Sequence, residues 1–199
     1  IPRIDFSDDA NGALLLEPTA TNLITYSELF SDVSWIKVGV SLISGVVPSP
    51  DGATNAFKLV EDTSTGEHKI DSAAISSASG SYVTASVFVK TAARSSIVIS
   101  ISDNATGGAD FIFNLNSKTA TNVSTGSWTN TVYSIETVSN GFIKVSVSGL
   151  QNAGSAVTMK IKNYNGTTTS YVGDGTSGVY IYGAQLEQGS YATSYIPTQ

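Results

Sequence analysis

Side chains that could perform catalysis are sparse in this sequence. The chain has one histidine, His68, and no cysteine, so thiolate metal sites and disulfides are excluded and no second imidazole is present to share a metal ion. Carboxylates occur as sequence neighbours, as in Glu61-Asp62 and Asp8-Asp9, and adjacent residues of a strand face opposite ways, which does not suit paired acid/base work. A Ser-His-Asp catalytic triad is not indicated either, because serine, histidine and aspartate can be selected from almost any Ser-rich chain with one histidine. The sequence therefore predicts a protein that is not an enzyme.

Aromatic and hydrogen-bonding side chains suit a sugar better, because rings stack on the apolar face of a pyranose while polar groups bond its hydroxyls. Period-two alternation over residues 82–90 puts Tyr82, Phe88 and Lys90 on the face opposite Val83 and Val87. Large aromatics on a solvated strand face indicate an interaction site. The alternative is that a second sheet, the N-terminal arm or a neighbouring chain covers that face.

Further side chains are candidates for contacts with a ligand or with the core. Lys90 and Arg94 suit an acidic or sulfated glycan, since arginine binds such groups in bidentate fashion, or else are solvated charges at strand ends. Trp128 lies among Ser, Gly, Thr and Asn, which predicts an exposed ring. Tyr180 and Tyr182 share one face of the last strand, where they line a groove or cap the core. Trp35 is predicted to pack in the core.

The elements that position these side chains are predicted to be strands. Apolar and polar residues alternate over residues 82–90, 97–102, 110–115, 142–148 and 157–164, and Gly/Asn-rich turn clusters separate these runs. This pattern predicts antiparallel sheets, each with one buried face, packed as a β-sandwich or jelly roll. We expect one domain over residues 1–199, an extended arm over 1–23, one turn of helix within 28–35 and a polar tail over 190–199.

Composition excludes several kinds of partner. Charged residues make up 13% of the chain, against a typical figure of about 25%, so Ser, Thr, Asn and Gly must supply the polar surface. The net charge is -6 and no basic run occurs, which disfavours nucleic acid. No apolar run approaches the roughly 18 residues of a membrane span. A cysteine-free chain of this kind is predicted to be extracellular and of bacterial or phage origin.

Several segments together resemble a known group of domains. They are GALLLEP (12–18), TNLITYSE (21–28), SWIK (34–37), NGFIK (140–144), GDGTSGVYIYGAQLE (173–187) and TSYIPT (193–198). The chain is similar to carbohydrate-binding-like jelly-roll domains of phage tail, fibre and head-spike proteins, and to modules appended to bacterial polysaccharide-degrading enzymes. The resemblance implies a non-catalytic domain that holds glycans or packs within a virion appendage. Phe142 and Tyr182 stand where tryptophan is common.

The resemblance also implies two features of the site. His68 lies in a polar stretch similar to a ligand-side loop, where a neutral imidazole bonds sugar hydroxyls, unless it is a solvated or turn-bracing residue. Related modules often hold a structural calcium near the chain ends, for which Glu28, Asp174 and Glu187 are candidate ligands. The alternative for Asp174 is a bare turn over residues 173–178.

These observations predict a non-catalytic carbohydrate-binding module with its site on the concave outward face of one sheet. The ligand is a polysaccharide or oligosaccharide, and an anionic one if the cations take part. No cofactor is expected beyond the structural calcium. The alternative is a structural or oligomerising domain of a phage tail or fibre protein without a glycan ligand. Because the sequence does not open on Met, we expect attachment to a longer enzyme or virion protein.

Overall fold

The chain is built from β-strands joined by turns. The computed structural model describes residues 3–5, 13–15, 19–103 and 107–199. The strands of this part are β1 (Arg3–Asp5), β2 (Ala13–Leu15), β3 (Ile36–Val38), β4 (Val40–Ser44), β5 (Phe57–Glu61), β6 (Thr65–Glu67), β7 (Lys69–Asp71), β8 (Ile75–Ser76), β9 (Ser81–Thr91), β10 (Ser96–Asp103), β11 (Gly108–Asn114), β12 (Thr119–Asn122), β13 (Thr129–Thr137), β14 (Ile143–Gln151), β15 (Ala156–Asn163), β16 (Ser170–Val172) and β17 (Gly178–Gln188). The all-β prediction is confirmed.

Two large antiparallel sheets carry the fold. One has seven strands in the order β12-β11-β10-β15-β7-β3, with β8 also paired to β15. The other has six strands in the order β13-β14-β9-β17-β5-β4. Because β9 pairs with both β14 and β17, strands distant in sequence lie side by side, as in a jelly roll. Two small sheets, β1-β2 and β16-β6, complete the described strands.

The core lies between the two large sheets and is supplied by the alternation that the sequence shows. Val83, Val87 and Val89 of β9 and Ile97 and Ile99 of β10 are all at most 1% exposed and belong to one apolar cluster. Burying each such side chain contributes about 1.5–3 kcal/mol. The same cluster includes the inward residues of β11, β14 and β15: Ala109, Phe111, Phe113, Val145, Val147, Val157, Met159 and Ile161. The antiparallel sandwich prediction is thus confirmed.

The segment over residues 28–35 is a chain of turns, and the predicted turn of helix there is wrong. The Leu29, Asp32 and Trp35 amides donate to the Tyr26, Leu29 and Asp32 carbonyls, each three residues earlier. The Asp32 carboxylate accepts from the Ser34 amide at 2.8 Å, which competes with continued helical bonding. Trp35 is 2% exposed, and its ring lies 5.0 Å from that of Phe30, so its predicted core position is confirmed.

One 3-10 turn, Ser139–Gly141, is the helical element of the described residues. None of their helices is long and apolar enough to cross a membrane. The predicted N-terminal arm falls largely outside the described residues. Within it, β1 pairs with β2, and the Leu23 amide donates to the Leu186 carbonyl of β17.

The outward face of the six-stranded sheet is covered by the C-terminal segment, residues 189–198. The Lys144 ammonium on β14 donates to the Thr193 carbonyl at 2.6 Å. The Thr84 hydroxyl on β9 donates to the Gly189 carbonyl at 2.8 Å, and the Tyr195 ring packs edge-on against Phe88 at 5.6 Å. Of the two sheets, the seven-stranded one therefore has the more open outward face.

Candidate functional site

The residues predicted on the outward face of β9 lie there, but the chain itself packs on them. Phe88 is 8% exposed and forms a small apolar cluster with Phe142 and Tyr182. Tyr82 is half-buried, and its hydroxyl accepts from the Asn130 amide at 2.9 Å. Lys90 donates to the Asn140 carbonyl at 2.8 Å. Stacking of a sugar ring on Phe88 stays a prediction, and the burial of the Phe88 side chain counts against that prediction.

His68 is fully buried where β6 leads into β7. Its Nδ1 lies 2.6 Å from the Gly39 carbonyl oxygen and its Nε2 lies 3.1 Å from that of Tyr171. Carbonyl oxygens only accept, so the ring lies between two backbone acceptors. The Asp62 carboxylate lies 3.6 Å from Nδ1. This geometry favours the bracing alternative for His68 over contact with a ligand.

Arg94 is held by a carboxylate of its own chain. Its Nε and Nη2 donate to Glu61 Oε2 at 3.0 Å and Oε1 at 2.5 Å, and Glu61 also accepts from the Tyr171 hydroxyl at 2.7 Å and the Asp174 amide at 3.1 Å. Burial raises the pKa of Glu61, but the hydrogen bonds from Arg94 and Tyr171 outweigh it and hold that pKa below its usual value. The guanidinium fork of Arg94 is thereby occupied within the protein.

Trp128 is 6% exposed, so the predicted exposed ring is wrong. Its indole Nε1 donates to Asp103 Oδ2 at 2.9 Å. The ring fits against Gly149 of β14, where a Cβ atom would come within 2.9 Å of Trp128 Cε3. A glycine distant in sequence therefore creates the space that buries Trp128.

Tyr182 caps a small core cluster, which decides between the two predicted roles in favour of packing. Its hydroxyl lies 2.8 Å from Glu28 Oε1 and 2.9 Å from Asp51 Oδ2. Burial raises the pKa of Tyr182 far above its usual value, and the hydrogen bonds to both carboxylates raise it further. A phenol that must stay protonated suits a structural position.

The three candidate calcium ligands have separate surroundings. Glu28 contacts Tyr182, whereas Asp174 accepts from the amide and hydroxyl of Ser177 and has a pKa held well below its usual value by those bonds. Glu187 is buried and accepts from Gln185 and Thr193. No group of three or more metal-ligating His, Cys, Asp or Glu side chains occurs among the described residues. The structure does not bring Glu28, Asp174 and Glu187 together at one place, and calcium binding stays a prediction.

The outward face of the seven-stranded sheet, here called the open face, carries a row of polar side chains across four strands. The strand register places Asp110 of β11 beside Ser100 of β10, Ser100 beside Lys160 of β15, and Lys160 beside Asp71 of β7. Their neighbours inward in each strand, such as Ile99 and Ile161, fill the core. Alternation thus forces this row outward.

A second row adds charge to the open face. It places Val98 beside Lys162 and Lys162 beside Lys69. The Lys69 ammonium lies 3.0 Å from Glu67 Oε2 and 3.3 Å from Asp71 Oδ2, and Lys162 lies 3.4 Å from Glu67 Oε1. The two sheets' outward faces therefore differ: the C-terminal segment covers much of one, and the other carries a network of ion pairs.

The Lys160 ammonium stands apart from this ion-pair network. Burial lowers its pKa, and the neighbouring charge of Lys69 lowers it further. By contrast, the pKa of Lys69 is raised, because its bonds to Glu67 and Asp71 outweigh the effect of burial. Lys160 is thus a half-buried cation that gains from a new hydrogen-bond acceptor.

Three buried polar atoms on the open face have no hydrogen-bond partner within the protein: Ser100 Oγ, Ser102 Oγ and Asp71 Oδ1. Ser100 is fully buried. Buried polar groups are nearly always paired, and an unpaired one costs about 1–3 kcal/mol. Of these three residues, Ser102 also lines the depression described next, whereas Ser100 lies beneath the surface of this face.

A depression of about 280 Å³ lies at this place. It is lined by Ser102, Asp103, Gly107, Gly108, Asp110, Thr125, Lys160 and Lys162. Its volume is close to the lower end of the roughly 300–1,000 Å³ typical of ligand sites. The carboxylate of Asp110 can accept, and the ammoniums of Lys160 and Lys162 can donate, which matches the mixed hydrogen bonding of sugar hydroxyls.

Sequence reasoning placed Lys160 and Lys162 opposite the core face of their strand but did not assign them to a site. The signal was present in the alternation of residues 157–164. What the sequence did not show is which strands flank β15. Trp128 reaches the depression only indirectly, because it bonds the lining residue Asp103.

Comparison with known proteins finds no matching family model and no matching curated protein. Two solved structures are similar in fold. One is the Clostridium thermocellum xylanase 10B CBM22-1–GH10 modules complexed with xylohexaose, at 11% identity and a TM-score of 0.44, covering 87% of this chain and 28% of that one. The other is TmCBM61 in complex with β-1,4-galactotriose, at 10% identity and a TM-score of 0.46, covering 85% of this chain and 99% of that one.

Both neighbours include carbohydrate-binding modules. This chain spans less than a third of the xylanase structure, whose remaining length has no counterpart here. With TM-scores below 0.5, the likeness by itself assigns no ligand to this chain.

Proposed function

We propose that this chain is a non-catalytic carbohydrate-binding module that binds a polysaccharide on the open face. The observation that carries the proposal is the depression on the polar row Asp110–Ser100–Lys160–Asp71, whose lining supplies the Asp110 carboxylate and the Lys160 and Lys162 ammoniums. Donors and acceptors alternate along this row, and sugar hydroxyls act as both.

The charge pattern supports a sugar over other polymers. Lysines on the open face are interleaved with Glu67, Asp71 and Asp110, and the chain's net charge is -6. A phosphate backbone would meet these carboxylates and gain little from counterion release. A polymer rich in hydroxyls bonds both kinds of group without a net charge of its own.

Apolar contact on the open face comes from aliphatic side chains. Ile36 and Val38 of the edge strand β3 are 56% and 39% exposed, and their register partners Asp71 and Lys69 belong to the open face. Exposed aliphatic groups beside polar ones give the CH face of a sugar ring a place to pack. They extend the surface from the depression towards the β3 edge, which suits a chain of several sugar units.

Extracellular location, attachment to a longer enzyme or virion protein, and lack of catalysis are further parts of this proposal. The low share of charged residues and the absence of cysteine support the first. The occupied hydrogen bonds of His68, the chain's one imidazole, support the last.

A pair of serine substitutions tests the proposal. Ser102→Ala removes an unpartnered hydroxyl from a residue that lines the depression, so it should weaken glycan binding about two- to tenfold while leaving the melting temperature unchanged or higher. The matched control is Ser146→Ala in the other sheet, where the hydroxyl is bonded to Ser134 at 2.7 Å. That change should lower stability by about 1 kcal/mol and leave affinity unchanged.

Ligands are found first on an array of neutral and acidic polysaccharides, and affinities are then measured by isothermal titration calorimetry. Wild-type affinity in both Ser102→Ala and Lys160→Gln would exclude the open face as the site. If the folded chain binds no glycan and forms a stable trimer in solution, the structural, oligomerising alternative replaces the proposed function.

A further inference from the structure

A second cavity, of about 210 Å³, lies at one end of the sandwich and is distinct from the open face. It is lined by Val89, Lys90, Thr91, Leu115, Asn116, Lys118, Thr137, Gly141, Phe142 and Ile143. These residues come from the end of β9, the turn between β11 and β12, and the turn between β13 and β14. We call it the end pocket.

The end pocket has an apolar floor and a cationic rim. Leu115 and Phe142 of the floor are 6% and 0% exposed. Lys90 crosses the floor with its ammonium 5.7 Å from the centre of the Phe142 ring, and it donates to the Asn140 carbonyl. Lys118 approaches from the facing turn and donates to the Thr137 hydroxyl at 2.9 Å.

Both turns that carry the pocket contain left-handed backbone. Lys118 has a φ of 54° and Gly141 has a φ of 75°. A Cβ atom at position 141 would lie 3.5 Å from Lys90 Cε, an ordinary van der Waals distance, so the Lys90 side chain lies close to the turn at Gly141.

The pocket is a site of uncompensated positive charge in an acidic protein. Its lining contains two lysines and no aspartate or glutamate. Within the described part of the chain, the side chains in ion pairs with carboxylates are His68, Lys69, Arg94 and Lys162. The bonds that Lys90 and Lys118 make there are to neutral oxygens, so an anion gains attraction from both.

We propose that the end pocket binds the carboxylate or sulfate of an acidic sugar residue, as a second site beside the open face. Lys90 and Lys118 hold the anionic group, and the sugar ring lies in the cavity between the turns that carry Lys118 and Gly141. The sugar class rests on the proposed function, whereas the preference for an anion rests on the pocket alone. The volume admits about one sugar unit, since it is below the roughly 300 Å³ of sites for larger ligands.

The test uses ¹⁵N-labelled full chain and follows amide chemical shifts during titration with glucuronate, with glucose-6-sulfate, and with neutral glucose. Saturable shifts at Asn116 and Gly141 with the acidic sugars, and none with glucose, are expected. Binding should weaken as salt rises, because exposed charges are screened over about 8 Å at physiological ionic strength. Sodium acetate is the probe for the anion without the sugar ring, and equal affinity for acetate would overturn the assignment to a sugar.

Substitutions locate the site. Lys118→Gln and Lys90→Gln should each reduce affinity for the acidic sugar about tenfold, since each removes a charge-assisted contact. Lys118 is exposed, so its replacement leaves the fold intact. The matched control is Lys58→Gln, whose ammonium bonds the Thr176 carbonyl away from the pocket. Unchanged affinity in both pocket variants would refute the proposal.

The end pocket and the open face can fail independently. Shifts at Ser100 and Lys160 without shifts at Asn116 and Gly141 would overturn the end pocket and leave the proposed function intact. Shifts at the end pocket alone, with no glycan bound by the open face, would support the end pocket as a site and exclude the open face.

Discussion

Replacing Glu61 by Gln is expected to destabilise the protein without weakening glycan binding. Glu61 is fully buried at the end of β5 and accepts four hydrogen bonds, two of them from Arg94. Glutamine keeps the shape of the side chain but removes its charge, and its amide group presents hydrogens to donors that also carry hydrogens. Arg94, whose side chain is 23% exposed, would then keep its charge without a partner.

The magnitude follows from breaking a buried ion pair on one side. Removing one partner of such a pair costs about 3–5 kcal/mol. For a chain of this size each kcal/mol shifts the melting temperature by about 2–4 °C, so a fall of about 6–20 °C is expected. Glu136→Gln is the control, because Glu136 is exposed on the edge strand β13 and should change stability by less than about 0.5 kcal/mol.

The pH dependence of this effect separates it from simple loss of packing. The pKa of Glu61 is lowered in the folded state, so its stabilising contribution is complete above its unfolded value of 4.5 and is lost as pH falls through the lower, folded value. Urea unfolding from neutral to acidic pH should show a constant gap between wild type and Glu61→Gln that narrows in acid. A gap of less than about 1 kcal/mol at neutral pH would refute this account. A separate measurement tests Arg94 itself: if the folded Arg94→Gln variant binds glycan more weakly than wild type, Arg94 contributes to glycan binding after all.

Three further outcomes are expected. Trp128→Phe should cost about 1.5–3 kcal/mol in urea unfolding, because Asp103 loses an indole hydrogen bond; an unchanged midpoint would count against that bond. His68→Ala should lower the melting temperature and leave affinity unchanged, since two buried carbonyl contacts are lost; reduced affinity in the folded variant would point to a ligand role. In an alkaline absorbance titration, Tyr171, Tyr182 and Tyr195 should ionise only well above pH 10, because burial raises their pKa values, and stability should fall as pH rises past 10.

Most strands and their inward faces could be predicted from the sequence. Alternation over residues 82–90 assigns Val83 and Val87 to the core because successive side chains of a strand point to opposite sides. The same reasoning placed Phe88 and Lys160 outward, and both positions are confirmed by the core residues beside them. These properties are local, so a short window of sequence contains them.

Local pattern did not predict what covers an outward face. Phe88 is buried because Tyr195, over a hundred residues later, packs on it, and that segment is anchored where the Asn22 side chain donates to the Ile196 carbonyl. Trp128 is buried because Gly149 lies on the strand beneath it. Neither contact has a signal within a few residues of the side chain that it buries.

The candidate site depends on the same distinction. The sequence by itself determined that Lys160 and Lys162 face outward on β15, since this follows from the period of the strand. Only the tertiary structure decided that β10 and β7 flank β15, which sets Ser100 and Asp71 on either side of Lys160. Strand order joins residues far apart in the chain, and the free energy that selects it comes from packing both sheets around one core, which no single strand contains.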